Sequence, residues 1–181
     1  MRSLGLGASL FLTTVMMADV SSCACDPAKP ETMEARECSL CKEAEKQPAD
    51  AEIFYLKDNS PRKPNRWLAL PRVHGSGGHH LSELPKKLQA KLWRGAIEKA
   101  KEHWGEEWGI AYNAYTVRTQ CHAHVHIGKL LQGLSPGRYK DVDGPEQIAA
   151  PADATGIWIH PVGGKLRVHF GEQITETVLL R

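Results

Sequence analysis

The most constraining stretch of this 181-residue chain is Cys121-His122-Ala123-His124-Val125-His126-Ile127. Successive side chains of an extended strand point to opposite faces. A strand over residues 120–127 therefore turns His122, His124 and His126 to one side and Ala123, Val125 and Ile127 to the other. The apolar side belongs against a core. Three neighbouring imidazoles are costly to bury without partners, and they can bind metal, pass protons or attack as nucleophiles. The bland alternative is a surface strand whose histidines are incidental.

The other elements follow from periodicity. Leu88, Leu92, Ala96, Ala100 and Trp104 recur every four residues, which predicts a helix from about Pro85 to Trp104 with Ser82 as its cap and Gly105 at its end. Short apolar runs at 53–56 and 67–70 precede it, and an apolar aromatic run at 108–117 follows. Residues 134–151, rich in Gly, Pro and charge, read as a long loop. Residues 157–160 and 165–170 flank Gly163-Gly164 and read as a hairpin. The order β-β-α-β-β, with hairpin-like links, predicts an antiparallel α+β domain with one long helix packed on its sheet and a C-terminal β-hairpin extension. The five tryptophans read as core or contact residues. His160 and His169 read as exposed or hydrogen-bonded strand residues that close over the site only if the hairpin folds across it.

A formal net charge of +2 argues against a general nucleic-acid binder, which would carry a dense basic stripe, but leaves room for a small anionic substrate. Arg2 followed by the uncharged apolar stretch 4–18 reads as an export signal within residues 1–25. Val20-Ser21-Ser22-Cys23 resembles a bacterial lipobox, in which the cysteine carries a lipid; the alternative is simple cleavage after Ala18 or Ser22, giving a soluble secreted product. The expected location is the periplasm or cell envelope. Residues 26–37 read as a tether, and the domain runs from 38 to 181. Cys38 and Cys41 form a C-x-x-C with charged flanks and no preceding strand, which favours a zinc half-site over a redox pair or a disulfide. Cys121 reads as a small buried hydrophobe.

His-x-His-x-His on a strand resembles the signature of the histidine-triad superfamily of nucleotidyl hydrolases and transferases. The C-x-x-C ahead of a strand, then Trp67-Leu68-Ala69-Leu70-Pro71-Arg72-Val73-His74, then Ser82-Glu83-Leu84 and a helix, are similar to that family's order of motifs. The resemblance spans residues 38–131, about half of the chain, and leaves 132–181 outside the common core. It implies a structural zinc held by Cys38, Cys41, His74 and His122, with His79 or His80 in place of His74 if residues 75–78 are an insertion. It implies that His124 is the nucleophile, forming a covalent nucleotidyl-histidine, and that His126 holds phosphate oxygens. It makes Thr119, Arg118, Gln120 and Asn113 candidate substrate donors. It further implies a homodimer through the helix and a strand.

Two positions depart from the family pattern. Arg66 stands where a histidine is common, and Gly128 where a bulkier apolar residue is common. Arg118-Thr119-Gln120 with the triad also resembles the CDP-diacylglycerol pyrophosphatase branch. Dinucleoside polyphosphates and nucleoside phosphoramidates are the competing substrates. Arg62, Lys63, Arg66 and Arg72 form a basic patch suited to phosphates or merely to solubility. The alternative function is a non-catalytic zinc- or copper-binding envelope protein.

Overall fold

The computed structural model describes residues 20, 23–75, 77–135, 137–151 and 154–181. Most of the stretch read as an export signal, 1–19 and 21–22, lies outside them. No helix among the described residues is long and apolar enough to cross a membrane.

Helix α1 (Ser39–Glu45) leads into strands β1 (Ile53–Lys57) and β2 (Trp67–Pro71). The long helix α2 (Lys86–Trp104) follows, then β3 (Trp108–Tyr112), β4 (Val125–Lys129), β5 (Arg138–Val142), β6 (Ile157–Val162) and β7 (Lys165–Phe170). All seven strands join one antiparallel sheet in the order β1-β2-β4-β3-β6-β7-β5. The architecture is the expected α+β arrangement.

The alternation within each strand sorts residues between two faces. Ala69, Ile110, Val125, Ile127, Ile159 and Val168 pack with Leu92, Trp93, Ala96 and Ala100 of α2 in the main core. Burying these aliphatic and aromatic side chains contributes about 1.5–3 kcal/mol each for the larger ones. The opposite, outer face is covered in two patches. Under α1, Ala44 packs with Phe54, Leu68 and Leu70. At the other end, the C-terminal tail lays Val178 and Leu179 on Ala111 and Trp158. His126 lies on this outer face, paired with Leu68 on one side and Ala111 on the other.

Three expectations change. The 134–151 loop contains β5, an edge strand paired to β7. Its sequence Arg-Tyr-Lys-Asp-Val is mostly exposed and charged, as edge strands that resist aggregation are. The 26–37 tether is packed. Pro30–Glu34 and Arg36–Cys38 form single 3-10 turns, and Met33 is buried among cysteines. The triad strand also begins only at Val125. Pairing from β2 ends at Ala69↔Val125, and the preceding backbone bonds elsewhere: Cys121 N–H to Glu37 O and Ala123 N–H to Gly78 O.

Candidate functional site

A cavity of about 690 Å³ opens on the outer face between α1, the β1–β2 loop and the C-terminal tail. His124 and His126 line it, with Asn113, Arg118, Thr119, Gln120, Lys63 and Glu176. Six of those eight were candidate substrate or catalytic residues; Lys63 belonged to the basic patch, and Glu176 had no role in the sequence reading.

His124 is buried, with Nδ1 2.8 Å from the His122 carbonyl oxygen. A carbonyl can only accept, so Nδ1 carries the proton. Burial, then His126 and Arg118, push the ring's pKa down to about 3. The imidazole is therefore neutral, and Nε2 keeps its lone pair. The His126 ring stands 4.9 Å away at 78°. Burial lowers its pKa to about 4 against the opposing pull of Glu176. Among the described residues, neither nitrogen of His126 has a hydrogen-bond partner. His122 does not join the other two. It is fully buried, donates through Nδ1 to the Ala123 carbonyl at 2.8 Å, and stacks on His74 with ring centroids 6.1 Å apart. The late start of β4 is the reason, because an extended strand would have shared the three side chains on one face.

The substrate candidates divide by what already holds them. Gln120 accepts from Ser39 Oγ and donates to the Arg36 carbonyl, so it fastens the segment before α1. Arg118 is buried, with its guanidinium on the His79 carbonyl and on His80 Nδ1. Asn113 Oδ1 accepts from the Thr175 and Glu176 backbone amides, and its Nδ2 donates to Glu176 Oε1. Thr119 is exposed at the cavity wall. Of the basic patch, Arg66 is buried and spent on the tail: it donates to the carbonyls of Glu176, Leu179 and Leu180 and to the Glu176 carboxylate. Arg72 bonds Gln47 and Glu45. Lys63 pairs with Glu176 at the cavity.

The metal reading meets an obstacle. Cys25 is disulfide-bonded to Cys38, and Cys23 to Cys121. Cys121 is thus a cross-link rather than an isolated buried hydrophobe. A disulfide sulfur is not a thiolate ligand, so Cys38, Cys41, His74 and His122 do not fit a closed zinc site in this oxidised form. His74 Nε2 is occupied by Glu45. Cys41 is the free thiol, fully buried, and burial pushes its pKa up to about 11. The donor atoms of Cys25, Cys41 and His79 lie within 4.8 Å of one another and could hold a metal ion once the Cys25–Cys38 bond is reduced. His79 was the alternative third ligand. A lipid on Cys23 would use the same sulfur as the Cys23–Cys121 bond, so the two fates are mutually exclusive. The two disulfides themselves point to an oxidising, exported setting.

No protein-family model matches the sequence, and no curated protein does. Among solved structures, a DUF4931 family protein from Bacillus cereus ATCC 10987 is similar at 9% identity and a TM-score of 0.47, over 71% of this chain and 85% of that one. A likeness at that level carries no argument about function.

Sequence reasoning missed Glu176, the disulfide pairing and the tail. Its two departures from the family pattern were the available signal. Gly128 pairs directly with Gly109, and both give room to Leu179 of the tail. A Cβ on Gly109 would stand 2.7 Å from Leu179 Cδ2, and one on Gly128 3.3 Å from Leu179 Cβ. Arg66 ties down the same tail. His160 and His169, hydrogen-bonded to each other at 3.1 Å and stacked with Trp158, do not line the cavity.

Proposed function

We propose that the protein is a hydrolase of the histidine-triad type that cleaves a nucleotide phosphoanhydride through His124. The observation that carries this reading is the seating of His124 at the cavity with its Nδ1 on the His122 carbonyl at 2.8 Å, which leaves the Nε2 lone pair for attack. In the first step Nε2 bonds to the α-phosphorus and the P–O bond to the leaving phosphate breaks, its electron pair departing on oxygen. The Nδ1–H···O=C bond stabilises the positive ring that results. Water then adds to phosphorus, the P–N bond breaks, and its electron pair returns to Nε2. Thr119 is exposed at the cavity as a donor for substrate oxygens, and Lys57, Lys63 and Arg36 bring positive charge to its wall.

An exported location favours a CDP-linked lipid such as CDP-diacylglycerol over dinucleoside polyphosphates and phosphoramidates. The same reading includes a cleaved signal peptide, with a lipid anchor only in molecules lacking the Cys23–Cys121 bond, and a homodimer. Its zinc belongs to the reduced form, where Cys25 becomes a thiol beside Cys41 and His79.

The test is release of mononucleotide from CDP-diacylglycerol and from a dinucleoside tetraphosphate by the full chain, beside His124→Ala. Cleavage lost in the variant supports the reading; no cleavage of either by the wild type overturns it. The second reading, a non-catalytic zinc- or copper-binding envelope protein, is favoured by the Cys25–Cys41–His79 group. It predicts metal bound per chain with no hydrolysis at all.

A further inference from the structure

We infer that the C-terminal tail supplies a positioning residue, Glu176, which holds the Nδ1 edge of His126 and so leaves Nε2 as that ring's acceptor. This rests on the hydrolase reading for its chemistry, but its geometry stands alone. Glu176 Oε2 lies 3.7 Å from His126 Nδ1. The carboxylate cannot drift: Arg66 Nη1 holds Oε2 at 2.8 Å, Lys63 holds the same oxygen, and Asn113 Nδ2 reaches Oε1 at 3.3 Å. Its backbone is fixed too, since the amides of Thr175 and Glu176 both donate to Asn113 Oδ1, at 2.8 and 3.0 Å. Two cations and an amide side chain are thus arranged around one carboxylate at the wall of the cavity.

The protonation states give the arrangement its meaning. Burial alone would raise the Glu176 pKa, but His126, Lys63 and Arg66 outweigh it and hold the carboxyl down to about 2. An ionised carboxylate only accepts hydrogen bonds. His126 faces Glu176, Lys63, Arg66 and Arg118, and the His124 ring lies beside it. The three cations and burial keep it neutral, so it carries one proton. The carboxylate draws that proton to Nδ1, and a small rotation of the ring closes the 3.7 Å gap; such bonds are often long before substrate is present.

The consequence is an assigned role in the second chemical step. With its lone pair on Nε2, His126 takes a proton from the attacking water as the water oxygen bonds to phosphorus and the P–N bond to His124 breaks. The imidazolium formed on His126 is then stabilised by Glu176. The first step needs no such base. Glu176 therefore acts on hydrolysis of the nucleotidyl-histidine more than on its formation.

Glu176→Gln keeps the side chain's shape and leaves the Arg66 bonds to the backbone carbonyls of the tail. Two measurements decide the matter. Imidazole nitrogen chemical shifts of the full chain at pH 7.5 report the His126 tautomer without any substrate: Nδ1–H in the wild type, and loss of that preference in Glu176→Gln, are expected. Steady-state and burst kinetics with the substrate cleaved by the wild type come second. The expected result is kcat lower by about a hundredfold, KM lower with it so that kcat/KM is little changed, and covalent nucleotide accumulating on His124, with Glu176→Asp recovering part of the rate. An unchanged tautomer, or a kcat equal to that of the wild type, overturns the inference. If the wild type cleaves neither substrate class, the hydrolase reading fails, and the tautomer measurement still decides whether Glu176 holds His126.

Discussion

The histidine segment is gripped from two sides by different chemistry. On the N-terminal side the grip is covalent: Cys23 is bonded to Cys121, the residue next to His122, and Cys25 to Cys38 at the start of α1. On the C-terminal side it is ionic and hydrogen-bonded: Arg66 and Asn113 seat the tail, and this brings Glu176 to 3.7 Å from His126. The first grip is redox-sensitive and nearly indifferent to pH. The second is the reverse. Breaking each separately shows how much the site depends on position and how much on charge.

The largest effect belongs to the covalent side. Cys23 and Cys121 are 98 residues apart, against 13 for Cys25 and Cys38. Closing the longer loop restricts the unfolded chain more, so Cys23→Ser with Cys121→Ser is expected to cost about 4–5 kcal/mol, and Cys25→Ser with Cys38→Ser about 3 kcal/mol. Denaturant unfolding of both variants checks the order. Equal losses from the two pairs would show that native contacts, not loop length, set the value of each cross-link.

Arg66 is the matching point on the ionic side. Its guanidinium is 2% exposed and serves three tail carbonyls and one carboxylate. Arg66→Met removes one partner of a buried set and leaves those acceptors unpaired, an expected loss of about 3 kcal/mol. Hydrogen exchange should locate the loss at residues 174–181 rather than at the cysteines. Protection lost evenly over the sheet would mean that the tail is no separate clamp.

Acid tests the ionic grip, because the disulfides of the other do not titrate. His126 has a folded pKa of about 4, below the usual 6.5, so its contribution is complete above pH 6.5 and is lost as pH falls toward 4. Glu176 has a folded pKa of about 2, below 4.5, so its contribution holds above pH 4.5 and is lost toward pH 2. Each group costs about 1.4 kcal/mol per pH unit within its window. Unfolding measured at pH 7.5, 5.5 and 3.5 should show the first loss by pH 5.5. In Glu176→Gln the loss below pH 4.5 should be smaller than in the wild type. The same slope in both would remove Glu176 from the account.

Much of this was legible in the sequence, for reasons that also explain the failures. The helix, the central strands and the Gly-Gly hairpin announce themselves because apolar periodicity marks any element that buries one face. Strand β5 does not, because an edge strand buries almost nothing. Spacing alone turned three histidines toward one face, but spacing is blind to where backbone hydrogen bonds go. Cys121 and Ala123 bond to the N-terminal arm and to Gly78, so His122 leaves the group. That His124 and His126 share a cavity was legible from their spacing, although only His126 lies within β4. Glu176 was not, since a single glutamate near a C-terminus has no periodic or motif signature; only its neighbours Asn113, Lys63 and Arg66, drawn from distant segments, give it a place.

The smallest expected effect tests whether the departure at Gly128 is really the tail's doing. Gly109 and Gly128 face each other across β3 and β4 beneath Leu179. At Gly109 an added methyl would meet Leu179 Cδ2 at 2.7 Å and Leu130 Cδ1 at 3.0 Å, so side chains must shift. At Gly128 the nearest atom is 3.3 Å away, a contact that a few tenths of an ångström relieves. Overpacking then predicts a loss of about 2 kcal/mol for Gly109→Ala and under about 1 kcal/mol for Gly128→Ala. Leu179→Ala should rescue Gly109→Ala in a double-mutant cycle, because it removes the atom that collides. Additive losses in that cycle would mean the glycines are there for the strands' own sake, and that the tail merely rests where it found room.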